Sequence, residues 1–434
     1  MPSVRTKGIL MIFAAALLTA ALVLPGSPSP LSSEQAVPAD SLVDSVGVNI
    51  HLHHGNTVYG NFPLIRQLLQ DLHIRHIRDG MIDTTWKPYY ERHSELGRMG
   101  IRGLFLTSPS LSDKTLLDWP SRVQGEFEGY EAPNEWDNSR DTNWAKTLNS
   151  FMPHLYQLVK NNPQTASFFV VCPSLIHASH YDVLKTLKAQ ETSEQRNTAE
   201  CDYTNMHNYF GGRNPGTSGW GANGYGSIEY NKNLVQGAWP SVAIMTTETG
   251  YYTSAEGDGI PQDIEGTYLP RVILEQYLHS VRRTYLYELI DQSANYSNQE
   301  GHFGLANADG TPKSAYTALK NLIQIMADPG KNFSATPLTL SLQSANKNLH
   351  HLILQKRDGS YYIALWIERE TFDVHSKTSR PPLQDPVRVL LTKAPHKAEA
   401  LQFQSNGEVS KAPLAASTEF SIQASDNLLI LHIQ

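Results

Sequence analysis

The sequence predicts an α/β protein: a (β/α)8 TIM barrel followed by a small C-terminal antiparallel β-sandwich. Eight short apolar runs alternate with segments whose apolar residues recur at helical spacing. These units cover about 280 residues, a length that suits eight strand–helix units. Beyond residue 331 the helical spacing stops, and short strand candidates follow one another, as in an antiparallel sandwich.

The strand candidates of the barrel are short and end in polar residues. In chain order they are 45–52, 74–79, 101–107, 125–135, 167–174, 202–209, 242–248 and 284–291. Amphipathic segments separate them, as in the run Leu64, Ile65, Leu68, Leu69 and Leu72. A doubly wound open sheet is the alternative fold. It usually has fewer strands and a glycine-rich turn after the first strand, and 48–55 shows no such turn.

The chain therefore divides into four predicted parts. Residues 1–25 are a signal peptide or N-terminal anchor, because Arg5 and Lys7 precede an apolar run that ends before Pro25. A Ser/Pro-rich linker covers 26–42, the barrel domain 43–330 and the β-sandwich 331–434. We expect an exported protein that is secreted, periplasmic or tethered at the cell surface, with membrane contact only through the N-terminal segment.

Composition excludes some classes of partner. The formal net charge is −7, which offers no electrostatic attraction to nucleic acid or an anionic membrane. The only cysteines are Cys172 and Cys201. The first falls late in one predicted strand and the second just before the next. An oxidising compartment would permit a disulfide between them, but these positions, near opposite ends of the barrel, favour unpaired cysteines. Neither cysteine indicates a metal site.

Polar residues at strand ends are the candidates for chemistry, because barrel enzymes place their active sites at the C-terminal ends of the strands. Glu135 ends the predicted fourth strand and Glu248 ends the seventh. Two converging carboxyl groups suit cleavage of a glycosidic bond, with one protonating the leaving oxygen and the other attacking the anomeric carbon. Arg78 and Tyr209 would keep Glu248 ionised, and the amide of Asn134 would bind a sugar hydroxyl.

The motifs Asn134–Glu135, His207-x-Tyr209 and Thr247–Glu248 resemble the signature of glycoside hydrolase clan A. That resemblance implies a retaining enzyme acting on β-linked sugars by double displacement. Glu135 would be the acid/base and Glu248 the nucleophile.

The same resemblance implies that Asn134 binds the 2-hydroxyl of the attacked sugar. Arg78, His207 and Tyr209 would hold the nucleophile charged and oriented. It implies a carbohydrate substrate and no metal or organic cofactor. It assigns no family within the clan and no oligomeric state.

The sequence departs from the clan pattern at two places. Trp136 stands where a proline is frequent, and we expect it, with His51, to contact sugar. The predicted eighth strand has no tryptophan to stack on a sugar, so Tyr285 or Tyr287 would take that place.

Two other functions remain open at this stage. A metal-dependent amide or ester hydrolase on the same barrel would bind its ion through histidines and an aspartate at the strand ends; the candidates are His51, His53, His177 or His180, His207 and Asp291. That alternative leaves Asn134, Tyr209 and Glu248 without roles. A non-catalytic carbohydrate-binding protein is the second alternative, although both carboxylates are present.

Overall fold

The structure, a computed structural model, describes residues 30–192, 199–240, 242–295 and 299–434. The predicted signal peptide or anchor at 1–25 lies outside these residues. Within the described part of the chain, no helix is long and apolar enough to cross a membrane.

The predicted barrel is present as a closed parallel sheet of eight strands. Two short strands precede it, β1 (Ser32–Glu34) and β2 (Val37–Pro38). The barrel strands are β3 (Val46–Asn49), β4 (His76–Gly80), β5 (Arg102–Leu106), β6 (Phe127–Glu131), β7 (Phe169–Val171), β8 (Tyr203–His207), β9 (Ala243–Thr249) and β10 (Val281–Leu286). Pairing of β10 with β3 closes the cylinder.

Helices pack around the barrel and alternate with its strands. They are α1 (Ala39–Asp44), α2 (Phe62–Asp71), α3 (Lys87–Arg98), α4 (Asp113–Arg122), α5 (Trp144–Lys160), α6 (His180–Ala189), α7 (Ile228–Ala238), α8 (Gln262–Leu278) and α9 (Ser314–Met326). In α2 the side chain of Asn61 accepts a hydrogen bond from the Leu64 amide and caps the helix. The buried side of α2 carries Ile65, Leu68 and Leu69.

The barrel interior changes from apolar to polar along the strands. Leu104, Val171, Met245 and Tyr285 form a buried apolar layer. Two residues beyond Met245, Thr247 belongs to a buried polar layer nearer the C-terminal ends; its other members are Asn49, Arg78, Glu131 and Asn205. Tyr285 is therefore core packing rather than the sugar contact that the sequence allowed.

The predicted β-sandwich follows the barrel. Its strands are β11 (Leu338–Gln343), β12 (Leu349–Gln355), β13 (Tyr361–Ile367), β14 (Phe372–Asp373), β15 (Thr378–Ser379), β16 (Gln384–Leu391), β17 (Ala398–Phe403), β18 (Val409–Leu414), β19 (Glu419–Ser425) and β20 (Leu429–Ile433). One sheet has the order β1-β11-β16-β19 and the other β18-β17-β20-β13-β12-β2, with an apolar core between them.

The segment predicted as a linker is part of this sandwich. β1 pairs antiparallel with β11, and β2 pairs parallel with β12. Helix α1 then begins at Ala39. The linker prediction over 26–42 is therefore wrong for 32–42. Its polar composition was misleading because an edge strand is held by backbone hydrogen bonds, which composition does not reveal.

A buried ion pair joins the sandwich to the barrel. Arg271 of α8 donates from Nε to Glu368 Oε2 at 2.8 Å, and both residues are buried. The other oxygen of Glu368 accepts hydrogen bonds from Asn214 Nδ2 and the Gly216 amide, at 2.7 and 2.9 Å. Asn214 and Gly216 lie in the long connection after β8. The sandwich therefore supports a loop at the C-terminal end of the barrel.

Cys172 and Cys201 form a disulfide with their Cα atoms 5.4 Å apart, so the expectation of unpaired cysteines is wrong. The reason is the stagger of neighbouring barrel strands. The last residue of β7, Val171, pairs with the first residue of β8, Tyr203. The end of one strand thus lies beside the start of the next, and the residues flanking them meet.

This disulfide should contribute substantially to stability, because it closes a loop with a sequence separation of 29. We expect the Cys172→Ala/Cys201→Ala variant to lose about 3–4 kcal/mol of unfolding free energy. Chemical denaturation under non-reducing conditions measures the change. Reducing agent should destabilise the wild type and leave the double variant unaffected. Equal stabilities of the two proteins without reductant would contradict the assignment.

Candidate active site

A cavity of about 520 Å³ opens at the C-terminal end of the barrel. This volume is in the range of small-molecule sites. Its wall combines carboxylates with aromatic side chains: Asn134, Glu135, Ile176, Tyr209, Gly211, Gly212, Trp220, Tyr225, Glu248, Gly250, Tyr251, Tyr252, Asp258, Tyr287, Gln299, Glu300 and Phe303. The predicted pair Glu135 and Glu248 therefore faces one cavity, and Asn134 and Tyr209 line it with them.

Glu248 lies near the end of β9 and is held by three donor-bearing side chains. Arg78 Nη1 donates to Oε1 at 2.7 Å, and the Tyr209 hydroxyl donates to Oε2 at 3.0 Å. His207 Nδ1 lies 3.5 Å from Oε2. Burial raises the pKa of Glu248, but the charges of His207 and Arg78 and these hydrogen bonds outweigh it. The pKa lies below its usual value, so the carboxylate is ionised at neutral pH.

Arg78 reaches Glu248 because other side chains fix its guanidinium. Its Nε and Nη2 donate to the two oxygens of Glu131 at 2.7 and 2.8 Å, a bidentate pair. Nη1 also donates to Asn49 Oδ1 at 2.8 Å. The side chain is only 2% exposed. Burial lowers the pKa of Arg78, but the charges of Glu131 and Glu248 raise it by more. The pKa therefore lies above its usual value, and the residue remains cationic.

Glu131 is the residue that orients Arg78. Asn205 Nδ2 donates to its Oε1 at 2.9 Å, and the Thr247 hydroxyl lies 2.9 Å from the same atom. Glu131 therefore bonds to Arg78 through both oxygens and to Asn205 and Thr247 through Oε1. Its buried position in the barrel interior gives it a place in the site that sequence reasoning did not assign.

Asn134 is oriented by the same guanidinium. Its Oδ1 accepts a hydrogen bond from Arg78 Nη2 at 2.7 Å. The side-chain carbonyl is therefore occupied, and the amide NH2 is the group left for a ligand. Because Asn134 lines the cavity, this donor is available beside Glu135 and Glu248.

Glu135 projects from a sharp turn after β6. The predicted fourth strand extends to 135, whereas β6 ends at Glu131. Glu135 has φ 42° and ψ 44°, the left-handed region, immediately before a short 3-10 turn at Trp136–Asn138. That conformation costs about 1–3 kcal/mol in a residue other than glycine. Its amide donates to Ser174 O at 3.2 Å, which supports the turn.

His207 lies between the two carboxylates. Its Nδ1 is 2.8 Å from Glu135 Oε1, and Nε2 is 3.2 Å from the Thr247 hydroxyl. Burial lowers the pKa of His207, but Glu248 and Glu135 outweigh it, so the pKa lies above the usual value. One oxygen of Glu135, one of Glu248 and one ring nitrogen of His207 all lie within 4.8 Å of one another.

Trp136 and His51 do not reach the cavity wall. Trp136 donates from Nε1 to Asp141 at 3.2 Å and packs against the apolar core. His51 lies behind Tyr287, with ring centroids 5.7 Å apart. Tyr287, the other candidate for stacking on a sugar, does line the cavity. Sequence reasoning brought these residues to the C-terminal end of the barrel, but it could not give the direction of their side chains.

The ligand set expected for a metal-dependent hydrolase is not assembled. His51 and His53 cluster with His54, whereas His207 belongs to a separate group with Glu135 and Glu248. Asp291 accepts a hydrogen bond from Lys313 Nζ at 2.7 Å and faces His302. The remaining candidates, His177 and His180, lie beside Asp137, which is 2.9 Å from His180 Nδ1.

Several wall residues were not identified from the sequence. Trp220 and Tyr225 come from the glycine-rich connection after β8, and their rings contact each other. Gly226 in this loop has φ 85°, and a Cβ there would overlap the Trp220 ring, so glycine is required. Glu300 and Asp258 add two further carboxyl groups, and the pKa of Glu300 is raised by burial and by Glu248. The repeated glycines of this segment were the one feature of the sequence that could have indicated the loop.

No protein-family model and no curated protein matches the chain. Three solved structures are similar to it. A family 39 glycoside hydrolase from Bacteroides cellulosilyticus WH2 is 14% identical, with a TM-score of 0.62 over 92% of this chain and 82% of that one. A GH39 enzyme from Xanthomonas axonopodis pv. citri is 14% identical, with a TM-score of 0.60 over 96% and 100%.

The third is a monomeric β-xylosidase from Caulobacter crescentus CB15. It is 13% identical, with a TM-score of 0.57 over 92% of this chain and 98% of that one. Such identities establish architecture. The expected likeness to clan A is therefore confirmed in the fold: this chain has the barrel-and-sandwich fold of solved family 39 glycoside hydrolases.

Proposed function

We propose that the protein is a retaining glycoside hydrolase that cleaves β-linked glycosides or polysaccharides by double displacement. The observation that carries this proposal is the approach of one oxygen of Glu135 to within 4.8 Å of one oxygen of Glu248. Retaining enzymes hold their two carboxyl groups about 5–5.5 Å apart, whereas inverting enzymes need roughly 6.5–9.5 Å to admit a water molecule.

The surroundings of the two carboxyl groups support different roles. Glu248 faces a cation and a hydroxyl donor, which favour the ionised form that a nucleophile requires. Glu135 makes no such bond to Arg78, and its side-chain hydrogen bond among the described residues is to His207. A group of this kind suits proton donation and removal. Glu135 is therefore the acid/base and Glu248 the nucleophile.

The reaction has two displacements. Glu135 donates its proton to the glycosidic oxygen as that bond breaks, and a Glu248 oxygen bonds to the anomeric carbon. The aglycone leaves as an alcohol, and the sugar remains as an ester of Glu248. Glu135, now ionised, removes a proton from water, which attacks the same carbon and releases Glu248. Two inversions at one carbon give net retention.

The cavity supports a carbohydrate substrate. The free amide of Asn134 is placed to donate to a sugar hydroxyl beside the scissile bond, as the clan resemblance implies for the 2-hydroxyl. Tyr287, Tyr252 and Phe303 form an aromatic wall with ring centroids 5.1 to 5.5 Å apart. The apolar face of a sugar would pack on this aromatic wall, and Glu300 would accept a hydrogen bond from a sugar hydroxyl. The solved β-xylosidase with this fold agrees with such a substrate.

We also propose that the protein is exported, on the basis of the charged and apolar pattern of its first 25 residues. The Cys172–Cys201 disulfide is consistent with it, because disulfides persist mainly in oxidising compartments.

Replacing the nucleophile tests the mechanism. We expect Glu248→Ala to lose nearly all turnover, because no ester can form on the variant. Azide should restore part of the activity by attacking from the vacated side, giving a product of inverted configuration that NMR identifies. The matched Glu248→Gln variant should still bind oligosaccharide without hydrolysing it. A wild type that binds sugars but turns over none of a panel of aryl β-glycosides and polysaccharides would instead support the non-catalytic alternative.

Replacing the acid/base should give a rate loss that depends on the leaving group. For Glu135→Ala we expect the fall in kcat/KM to be smallest for aryl glycosides with acidic phenols, whose departure needs no proton. Alkyl glycosides should lose about 10²–10⁴-fold. Initial rates across a series of phenols measure the slope. A uniform loss across the series would contradict the assignment of Glu135.

The hydrogen bond from Tyr209 should set the acid side of the pH profile. Tyr209→Phe removes a donor that favours ionised Glu248, so the pKa of Glu248 rises. Because activity requires the carboxylate, the acid limb of kcat/KM should move to higher pH, by about 0.5–1 unit. Tyr252→Phe is the control, since Tyr252 also lines the cavity but does not contact Glu248. An acid limb that stays in place, or moves to lower pH, would show that Tyr209 does not stabilise the charge.

A further inference from the structure

The turn that follows β3 gathers three imidazoles outside the machinery described above. One ring nitrogen from each of His51, His53 and His54 lies within 4.8 Å of the other two. We propose that this histidine turn binds a borderline divalent cation such as Zn²⁺. The site is separate from the proposed hydrolytic reaction and does not depend on it.

The donor set suits such an ion. Neutral imidazole is a preferred ligand for zinc, copper and nickel, while calcium and magnesium prefer oxygen. Zinc binds imidazole nitrogen at about 2.0–2.1 Å, so nitrogens in a tetrahedral site are roughly 3.3 Å apart. The histidine turn must therefore tighten by about 1.5 Å at most. Because its three ligands come from four consecutive residues, this contraction needs only local side-chain and turn adjustment.

His53 already has the outer support that metal-binding histidines usually have. Its Nδ1 is 3.1 Å from Asp79 Oδ1, which leaves Nε2 for an ion. Asp79 is itself fixed by the amides of Leu52 and Gly80, at 2.9 and 2.7 Å. Its second oxygen lies 3.3 Å from the buried His93. A carboxylate behind a ligating imidazole fixes the ring and increases its basicity.

His51 supplies a second observation that points to a ligand. Its Nε2 is buried and makes no hydrogen bond, although Glu288 Oε2 is 3.3 Å away outside hydrogen-bonding geometry. Glu288 is occupied by other donors: the Tyr59 hydroxyl at 2.6 Å and Gln292 Nε2 at 2.9 Å. The buried Nε2 of His51 therefore lacks a hydrogen-bond partner in the described part of the chain, and an ion bound at the turn would supply one.

His54 completes the set from the solvent side. It is partly exposed, and its ring stacks on that of His51 with centroids 5.4 Å apart. An ion can therefore reach the turn directly from solution. Three imidazoles leave a fourth position for water, the arrangement found in many three-histidine zinc sites.

Isothermal titration of the full chain with zinc chloride, in buffer free of chelators, tests the site. We expect one ion per chain and a Kd at least about tenfold weaker in His54→Ala and His53→Ala, since loss of even an outer partner costs 10–100-fold. The matched control is His396→Ala, an exposed histidine of the sandwich, which should bind as the wild type does. Because the titration measures zinc binding and no hydrolysis, its outcome is independent of the test of the proposed function.

The titration must distinguish the histidine turn from a second possible zinc site. That second site is the group formed by Glu135, His207 and Glu248, which also lie close enough together to hold an ion. Glu135→Gln should retain the wild-type affinity for zinc if the histidine turn is the site. Wild-type affinity in His54→Ala, with binding lost in Glu135→Gln, would overturn the proposal. Absence of zinc binding by the wild type would overturn it as well. His54→Ala is chosen because this partly exposed residue lies outside the proposed catalytic set, so its folding should be intact.

Discussion

The buried guanidinium of Arg78 is the interaction on which the site depends. It links Glu131 in the barrel interior with Glu248 and Asn134 at the cavity. A buried cation is tolerated only when its partners are charged and hydrogen-bonded, and removing one partner typically costs about 3–5 kcal/mol. Arg78 holds the carboxylate of Glu248 and the amide of Asn134 in one geometry. The same bonds therefore support both the stability of the barrel mouth and the arrangement of the proposed catalytic groups.

His207 and the turn at Glu135 add the asymmetry that the chemistry requires. The turn places Glu135 beyond the end of β6 in a left-handed conformation, where its carboxyl bonds to His207. His207 is then the shared neighbour of both carboxylates. In the described part of the chain, Glu248 also accepts a hydrogen bond from the guanidinium of Arg78, and Glu135 does not. Two acidic groups of the same type can therefore perform opposite tasks at one pH.

Periodicity and strand-end chemistry were sufficient to predict the barrel, the sandwich and the pair Glu135 and Glu248. The reason is that parallel barrel strands bring their C-terminal ends to one mouth. Strand boundaries were less accurate. The predicted eighth strand, 284–291, begins at Val281 in the structure, because nothing in the local sequence distinguishes the end of a helix from the start of a buried strand.

The unpredicted features all depend on contacts between distant segments. Glu131 pairs with Arg78, which is 53 residues away, and the strand stagger that joins Cys172 to Cys201 has no local sequence signal. Trp136 was expected at the sugar, but the turn that follows Glu135 directs it toward Asp141. The aromatic pair Trp220 and Tyr225 was missed because a glycine-rich loop has no periodicity from which its position can be inferred.

The central claim is that Glu248 forms a covalent bond to the sugar while Arg78 holds it. The most direct measurement is incubation of the protein with an activated 2-deoxy-2-fluoro glycoside of a sugar that it hydrolyses, followed by peptide mass spectrometry. The slow second displacement should trap a glycosyl ester, and the adduct should lie on the peptide that contains Glu248. An adduct on another carboxylate, or turnover with inverted configuration and no adduct, would contradict the account.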